Sequence, residues 1–111
     1  MSTSPNLTEI QPAALKDLLD SPQPPLLLDV REPWELAKAR LSGTLDIPMN
    51  EIPQRLAELP RDRPIVVMCH GGGRSTKVAH FLLQNGFSQV ANLTGGIHAW
   101  ASDVDPSVGT Y

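Results

Sequence analysis

The sequence predicts an α/β fold, and three observations carry that reading. Short apolar runs alternate along the chain with segments whose apolar residues recur at helical spacing. Two of the runs, PLLLDV (25–30) and PIVVMC (64–69), are almost unbroken in apolar character, as strands covered on both faces are. Alternating strands and helices imply right-handed crossovers and a parallel sheet between helical layers. Such folds gather ligands at the carboxyl ends of their strands. Cys69, the only cysteine, ends the second run.

Taken in order, the first few residues lack periodicity and read as a surface segment. In QPAALKDLLD, Leu15, Leu18 and Leu19 repeat at helix spacing behind Pro12, a residue suited to a first helical turn. The strand PLLLDV follows, and Pro33 then marks another helix start. TLDIP (44–48) is a weaker strand. In NEIPQRLAELP, Asn50 is the expected cap, Ile52, Leu56 and Leu59 share a face, and Glu51 and Arg55 are spaced for a weak ion pair. After the strand PIVVMC, a helix in RSTKVAHFLLQNGF sets Val78, Ala79, Phe81, Leu82 and Leu83 on one arc, opposite Lys77, His80 and Gln84. Gly86 caps its end. QVANL (89–93) is a further strand, and VDPSVGTY is a surface tail from which Tyr111 can pack back onto the body.

Composition narrows the function classes. A chain of 111 residues with 41% apolar content builds one core, so residues 1–111 are expected to form a single domain, with its core over about 8–103 and short surface tails. Nine basic against 12 acidic residues, net −3, provide no field for nucleic acid. A lone cysteine makes no intramolecular disulfide, and a reducing cytoplasm is the expected location. The start MSTSPNLTEIQ has no basic cluster followed by an apolar stretch, and no run is long enough for a bilayer, so no membrane partner is expected.

The chemistry concentrates in CHGGGRS (69–75). Gly71, Gly72 and Gly73 can turn successive N–H groups inward with no side chains in the way, forming a nest for negative charge. The helix opening near Arg74 and Ser75 adds the positive end of its dipole, and Arg74 adds a full charge. A free cysteine ionises near pH 8.5, and sites of this type lower that by about one to several units, each roughly 1.4 kcal/mol in favour of the thiolate. The result is a nucleophile activated without a neighbouring base. The alternative, a small buried apolar cysteine, does not account for three glycines leading into Arg-Ser and a helix. GGGRST lacks the spacing and lysine of a nucleotide-binding P-loop. His70 adjoins Cys69, while His80 and His98 are isolated, so no metal is expected.

LLLDVREPWEL, SGTLDIPMNEI, VVMCHGGGRSTKVAHFLLQNGF and NLTGGIHAW together resemble the rhodanese-like domain in its single-domain sulfurtransferase form, from about Ile10 to Trp100. The resemblance implies a three-layer fold with a mostly parallel five-stranded sheet, and a cysteine that takes sulfane sulfur from a donor such as thiosulfate or a thiol persulfide. The persulfide would pass that sulfur to cyanide, a thiol or a sulfur-accepting protein, with no cofactor. Cys69 would be the nucleophile, His70 to Arg74 the backbone cradle, Arg74 would attract an anionic donor and help hold the charged sulfur, and the Ser75 hydroxyl and N–H would reach the loop. A sulfur carrier or persulfide sensor working within a complex is the alternative. Four residues separate Cys69 from Arg74, whereas related phosphatases have five, and the shorter loop suits one added sulfur atom. Arg40 and Asp46 depart from the family's usual His and Asn, and the loop lacks the second basic residue of members that favour thiosulfate.

Arg31 ends the first strong strand and is a candidate to add positive potential at the mouth of the cysteine loop, with loop-holding hydrogen bonds as the alternative. Asp29 is expected to be structural. Gly95 and Gly96 either bring backbone against the cysteine loop or only turn the chain into a short helix. Trp34 and Trp100 read as packing residues, His70 as a rim residue, and His80 and His98 as solvated.

Overall fold

The computed structural model describes residues 7–111; the surface segment expected at the very start lies largely outside them. The chain runs β1 (Thr8–Ile10), α1 (Pro12–Leu19), β2 (Leu26–Asp29), α2 (Pro33–Leu36), β3 (Leu45–Asp46), a 3-10 helix (Met49–Glu58), β4 (Ile65–Met68), α3 (Gly73–Gln84), β5 (Val90–Leu93), α4 (Gly96–Asp103) and a 3-10 turn (Pro106–Val108). Five strands form one parallel sheet in the order β1-β5-β4-β2-β3. The α/β class and the five-stranded sheet stand as expected. β1 was not legible as a strand, since a three-residue edge strand with two exposed positions has no apolar period.

All four residues of β4 are buried, as an unbroken apolar run requires. Strand alternation divides them between two cores. Ile65, Val67 and Cys69 pack with Leu28, Val30, Ile52, Val78, Ala79 and Leu82 on one face. Val66 and Met68 join Leu15, Leu27, Leu93, Ile97 and Trp100 on the other. α3 and the long 3-10 helix therefore cover one face, and α1 and α4 cover the opposite one.

One helix differs from expectation. Met49–Glu58 is 3-10 rather than α, with Pro48 at its start, Pro53 inside and a break at Arg55. Pro53 has no N–H for an α-helical bond, and the tighter winding adapts to that loss over a short stretch. Asn50 lies within the helix and caps nothing, while the Glu51–Arg55 pair forms at 3.0 Å. At the far end of α3, Gly86 takes φ +90°, and the N–H groups of Gly86 and Phe87 close on the carbonyls of Leu83 and Leu82. This is the expected glycine cap.

The strand order places the site. From β2 the chain crosses outward to β3, and from β4 it crosses the other way to β5, so direction reverses between β2 and β4. Crevices at such reversals open at the carboxyl ends of the strands. Arg31 follows β2 and Cys69 follows β4 at that point.

Candidate active site

Cys69 is a free thiol, 1% exposed, seated under the loop that joins β4 to α3. The Gly72 N–H donates to Sγ at 3.1 Å, and the Ser75 Oγ lies 3.4 Å from it. Burial pushes the thiol pKa up, but the Ser75 hydroxyl and the N–H groups of Ser75, Gly72 and Arg74 push it down, and the thiol lies below its usual range. Gly72 adopts φ +113° to aim its N–H inward, a conformation that L side chains avoid. Gly71 and Gly73 face open space, so their contribution is the absence of side chains.

Arg74 opens outward from this cradle. Its Nη1 and Nη2 donate to the Glu35 carboxylate at 2.6 and 2.8 Å, a bidentate clasp. Glu35 Oε1 also accepts the Glu32 N–H at 3.0 Å, and Oε2 accepts the Tyr111 hydroxyl at 2.7 Å. The guanidinium beside it draws the Glu35 carboxyl down to about 2, against the opposing effect of burial. The charge of Arg74 is thus balanced by a carboxylate, and the hydrogen bonds that reach the sulfur come from N–H groups and one hydroxyl.

Arg31 requires a correction to the expectation that it charges the mouth. It is fully buried, pairs with Asp29 through Nε and Nη2 at 3.0 and 2.8 Å, and donates to the Ala39 carbonyl at 2.8 Å and the Tyr111 hydroxyl at 2.9 Å. It holds loops together, and Asp29 is its structural partner as expected. Trp34 also departs from expectation: it is 61% exposed and stands edge-on to the Tyr111 ring, whereas Trp100 is core.

At Gly95 and Gly96 the two alternatives, a close approach to the loop and a turn into a helix, coincide. Each has positive φ and together they start α4, and a Cβ on Gly96 would fall 2.4 Å from the carbonyl oxygens of Cys69 and His70. Only glycine lets α4 approach so closely. The Ile97 and His98 N–H groups then donate to those two carbonyls at 2.9 and 3.1 Å, pinning the loop from behind. The His70 ring packs on Tyr111 at 4.4 Å and against His98 at 5.8 Å, with His98 exposed as expected.

The family model for the rhodanese-like domain matches residues 11–103. The chain belongs to the rhodanese-like domain family. A protein of Allochromatium vinosum named sulfurtransferase is 40% identical over 86% of this chain and 89% of its own length. A provisionally named sulfur carrier protein of Bacillus subtilis is 34% identical over 90% of this chain and 54% of its own length. The crystal structure of a rhodanese-like domain protein from Staphylococcus aureus, 31% identical, superposes with a TM-score of 0.83 over 95% of this chain and 99% of that one.

In this rhodanese-like domain three residues hydrogen-bonded into the surroundings of the cysteine loop escaped the sequence reading: Glu35, which holds Arg74, Asn92, which meets Ser75, and Glu9, which holds Asn92. Asn92 is 3% exposed, its Oδ1 lies 2.5 Å from Ser75 Oγ, and its Nδ2 donates to Glu9 Oε1 at 3.0 Å. A polar residue inside the apolar run QVANL was the signal for Asn92, since a buried amide requires partners. Glu35 and Glu9 carried no comparable mark. Among the described residues no group of three or more His, Cys, Asp or Glu is placed to hold a metal ion, and no helix is long and apolar enough to cross a membrane.

Proposed function

We propose that the protein is a sulfurtransferase of the thiosulfate sulfurtransferase type whose Cys69 alternates between thiolate and persulfide. The observation that carries this reading is the buried Sγ of Cys69 held by the Gly72 N–H at 3.1 Å, at the reversal of strand direction. In the first half-reaction the thiolate attacks the outer sulfur of the donor. A Cys69 S–S bond forms, the donor's sulfur–sulfur bond breaks, and the leaving group departs with the bonding pair as sulfite or a thiolate. In the second, cyanide or a thiolate attacks the outer sulfur of the persulfide and regenerates the Cys69 thiolate. N–H groups of the loop stabilise the anionic sulfur at both stages, and His70 to Ser75 form its surroundings.

The reacting partners are a small sulfur donor and a thiol or cyanide acceptor, with a sulfur-accepting protein as the macromolecular case. A single domain suffices, and a free thiol nucleophile suits a reducing compartment such as the cytoplasm. Intact-mass measurement after exposure to thiosulfate or a thiol persulfide is expected to show one added sulfur atom, removed by cyanide or thiols. Cys69→Ser abolishes both gain and turnover. A second reading, a carrier that releases sulfur only within a complex, is favoured by the likeness to the Bacillus subtilis protein and by the 1% exposure of Cys69. It predicts the same mass gain with negligible turnover on small acceptors.

A further inference from the structure

The Ser75 hydroxyl has one proton and more than one claimant. Its oxygen lies 2.5 Å from Asn92 Oδ1, 3.1 Å from the Gly72 carbonyl and 3.4 Å from Cys69 Sγ. The Gly72 carbonyl already accepts the Thr76 hydroxyl at 2.7 Å and the Thr76 N–H at 3.1 Å, which occupies both of its lone pairs. Asn92 Oδ1 is the acceptor left for Ser75, and it is buried, where losing its donor is costly.

The orientation of the Asn92 amide is decided from outside. Glu9 on β1 presents carboxylate oxygens that only accept, so the amide must turn Nδ2 towards Glu9, leaving Oδ1 to face Ser75. Thr94 Oγ1 holds the same Glu9 oxygen at 2.8 Å. While the cysteine is protonated the relay runs outward: the Ser75 O–H turns to Asn92 Oδ1, its oxygen is free to accept the thiol S–H, and Asn92 Nδ2 donates to Glu9; towards the thiolate the same Ser75 hydroxyl is the donor. Ionising the cysteine reverses the preference of Ser75, whose proton must swing to the sulfur and leave Asn92 Oδ1 unpaired.

We propose that Asn92 is a positioning residue that, oriented by Glu9, claims the Ser75 hydroxyl proton and so biases Cys69 towards its thiol form. The backbone cradle and the Ser75 hydroxyl turned to the sulfur favour the thiolate, and the claim of Asn92 on that same hydroxyl opposes them, so the resting sulfur is set by the balance of the two. The remaining groups that face the thiol's surroundings, Arg74 paired with Glu35 together with His70 and His98, are untouched by the substitutions below.

The proposal deepens the reading of Cys69 as the reactive sulfur, yet its test needs no sulfur transfer. Because the chain has one cysteine, ultraviolet thiolate absorbance against pH, checked by the rate of alkylation, reports Cys69 alone. Asn92→Ala in the full chain is expected to lower the thiol pKa by about one unit. In a Ser75→Ala background that effect should vanish, since there is no hydroxyl proton to release. Glu9→Gln, at an exposed strand-edge position, frees the amide to flip and should lower the pKa as well, with the shift persisting in molar salt where a through-space charge effect is screened. An Asn92→Ala shift of equal size with and without Ser75, or no shift at constant fold by circular dichroism, overturns the proposal. Should Asn92→Ala fail to fold, Glu9→Gln decides alone: a shift abolished by salt, or none, also overturns it. Absence of sulfur uptake would instead remove the proposed function and leave these titrations standing.

Discussion

Glu35 and Arg74, 39 residues apart in sequence, meet through two hydrogen bonds of 2.6 and 2.8 Å, tying the helix that follows the cysteine loop to the segment that follows β2. Their pairing has a pH signature. Arg74 draws the Glu35 carboxyl down to about 2 from its usual 4.5. A group made more acidic by folding stabilises the fold above its unfolded value and loses that contribution as pH falls through the folded one. Stability is therefore expected to decline between about pH 4.5 and 2. Allowing for the partial exposure of Arg74, the loss is about 2 kcal/mol. Urea midpoints across that range measure it, and Glu35→Gln should flatten the decline; an equal slope in both proteins refutes the assignment.

The three glycines of the loop are not equivalent. Gly72→Ala forces a side chain into φ +113°, at a cost of about 1–2 kcal/mol, and swings its N–H away from the sulfur, raising the Cys69 pKa. Gly71→Ala and Gly73→Ala point into open space and should leave folding stability nearly unchanged. Chemical denaturation and thiol titration of the three variants separate these outcomes.

Gly96→Ala tests the packing behind the site. The added methyl meets the Cys69 and His70 carbonyls at 2.4 Å, so the α4 start and the loop must part and lose the bonds from Ile97 and His98. A loss of roughly 3 kcal/mol is expected from overpacking together with positive-φ strain. Thermal unfolding is the measurement, and a variant as stable as the parent would contradict the close approach.

Arg31→Leu distinguishes a structural arginine from a substrate-steering one. Removing the guanidinium leaves Asp29 charged and buried without its partner, which costs roughly 3–5 kcal/mol. Denaturation should show that loss. A raised KM for an anionic donor with unchanged stability would instead restore Arg31 to the mouth.

Much of the fold was legible in the residues alone because its signals are local. The unbroken runs of β2 and β4, Pro12 at the start of α1 and Gly86 at the end of α3 each announce themselves within a few neighbours. Cys69 was legible for the same reason, since strand, glycines and helix stand side by side in the chain. β1 was hidden because an edge strand of three residues acquires its identity only by pairing with β5.

What tertiary structure decided was where the charges and protons go. Arg31 and Arg74 look alike as charges in sequence, yet one is sealed against Asp29 and the other is balanced by Glu35. Glu9 reaches Asn92 across 83 residues and through it Ser75. Apolar periodicity and backbone preference are properties of a short segment, so a single sequence by itself determines them. Burial and the pairing of polar groups depend on which distant segments the sheet order brings together, and only the folded chain settles them.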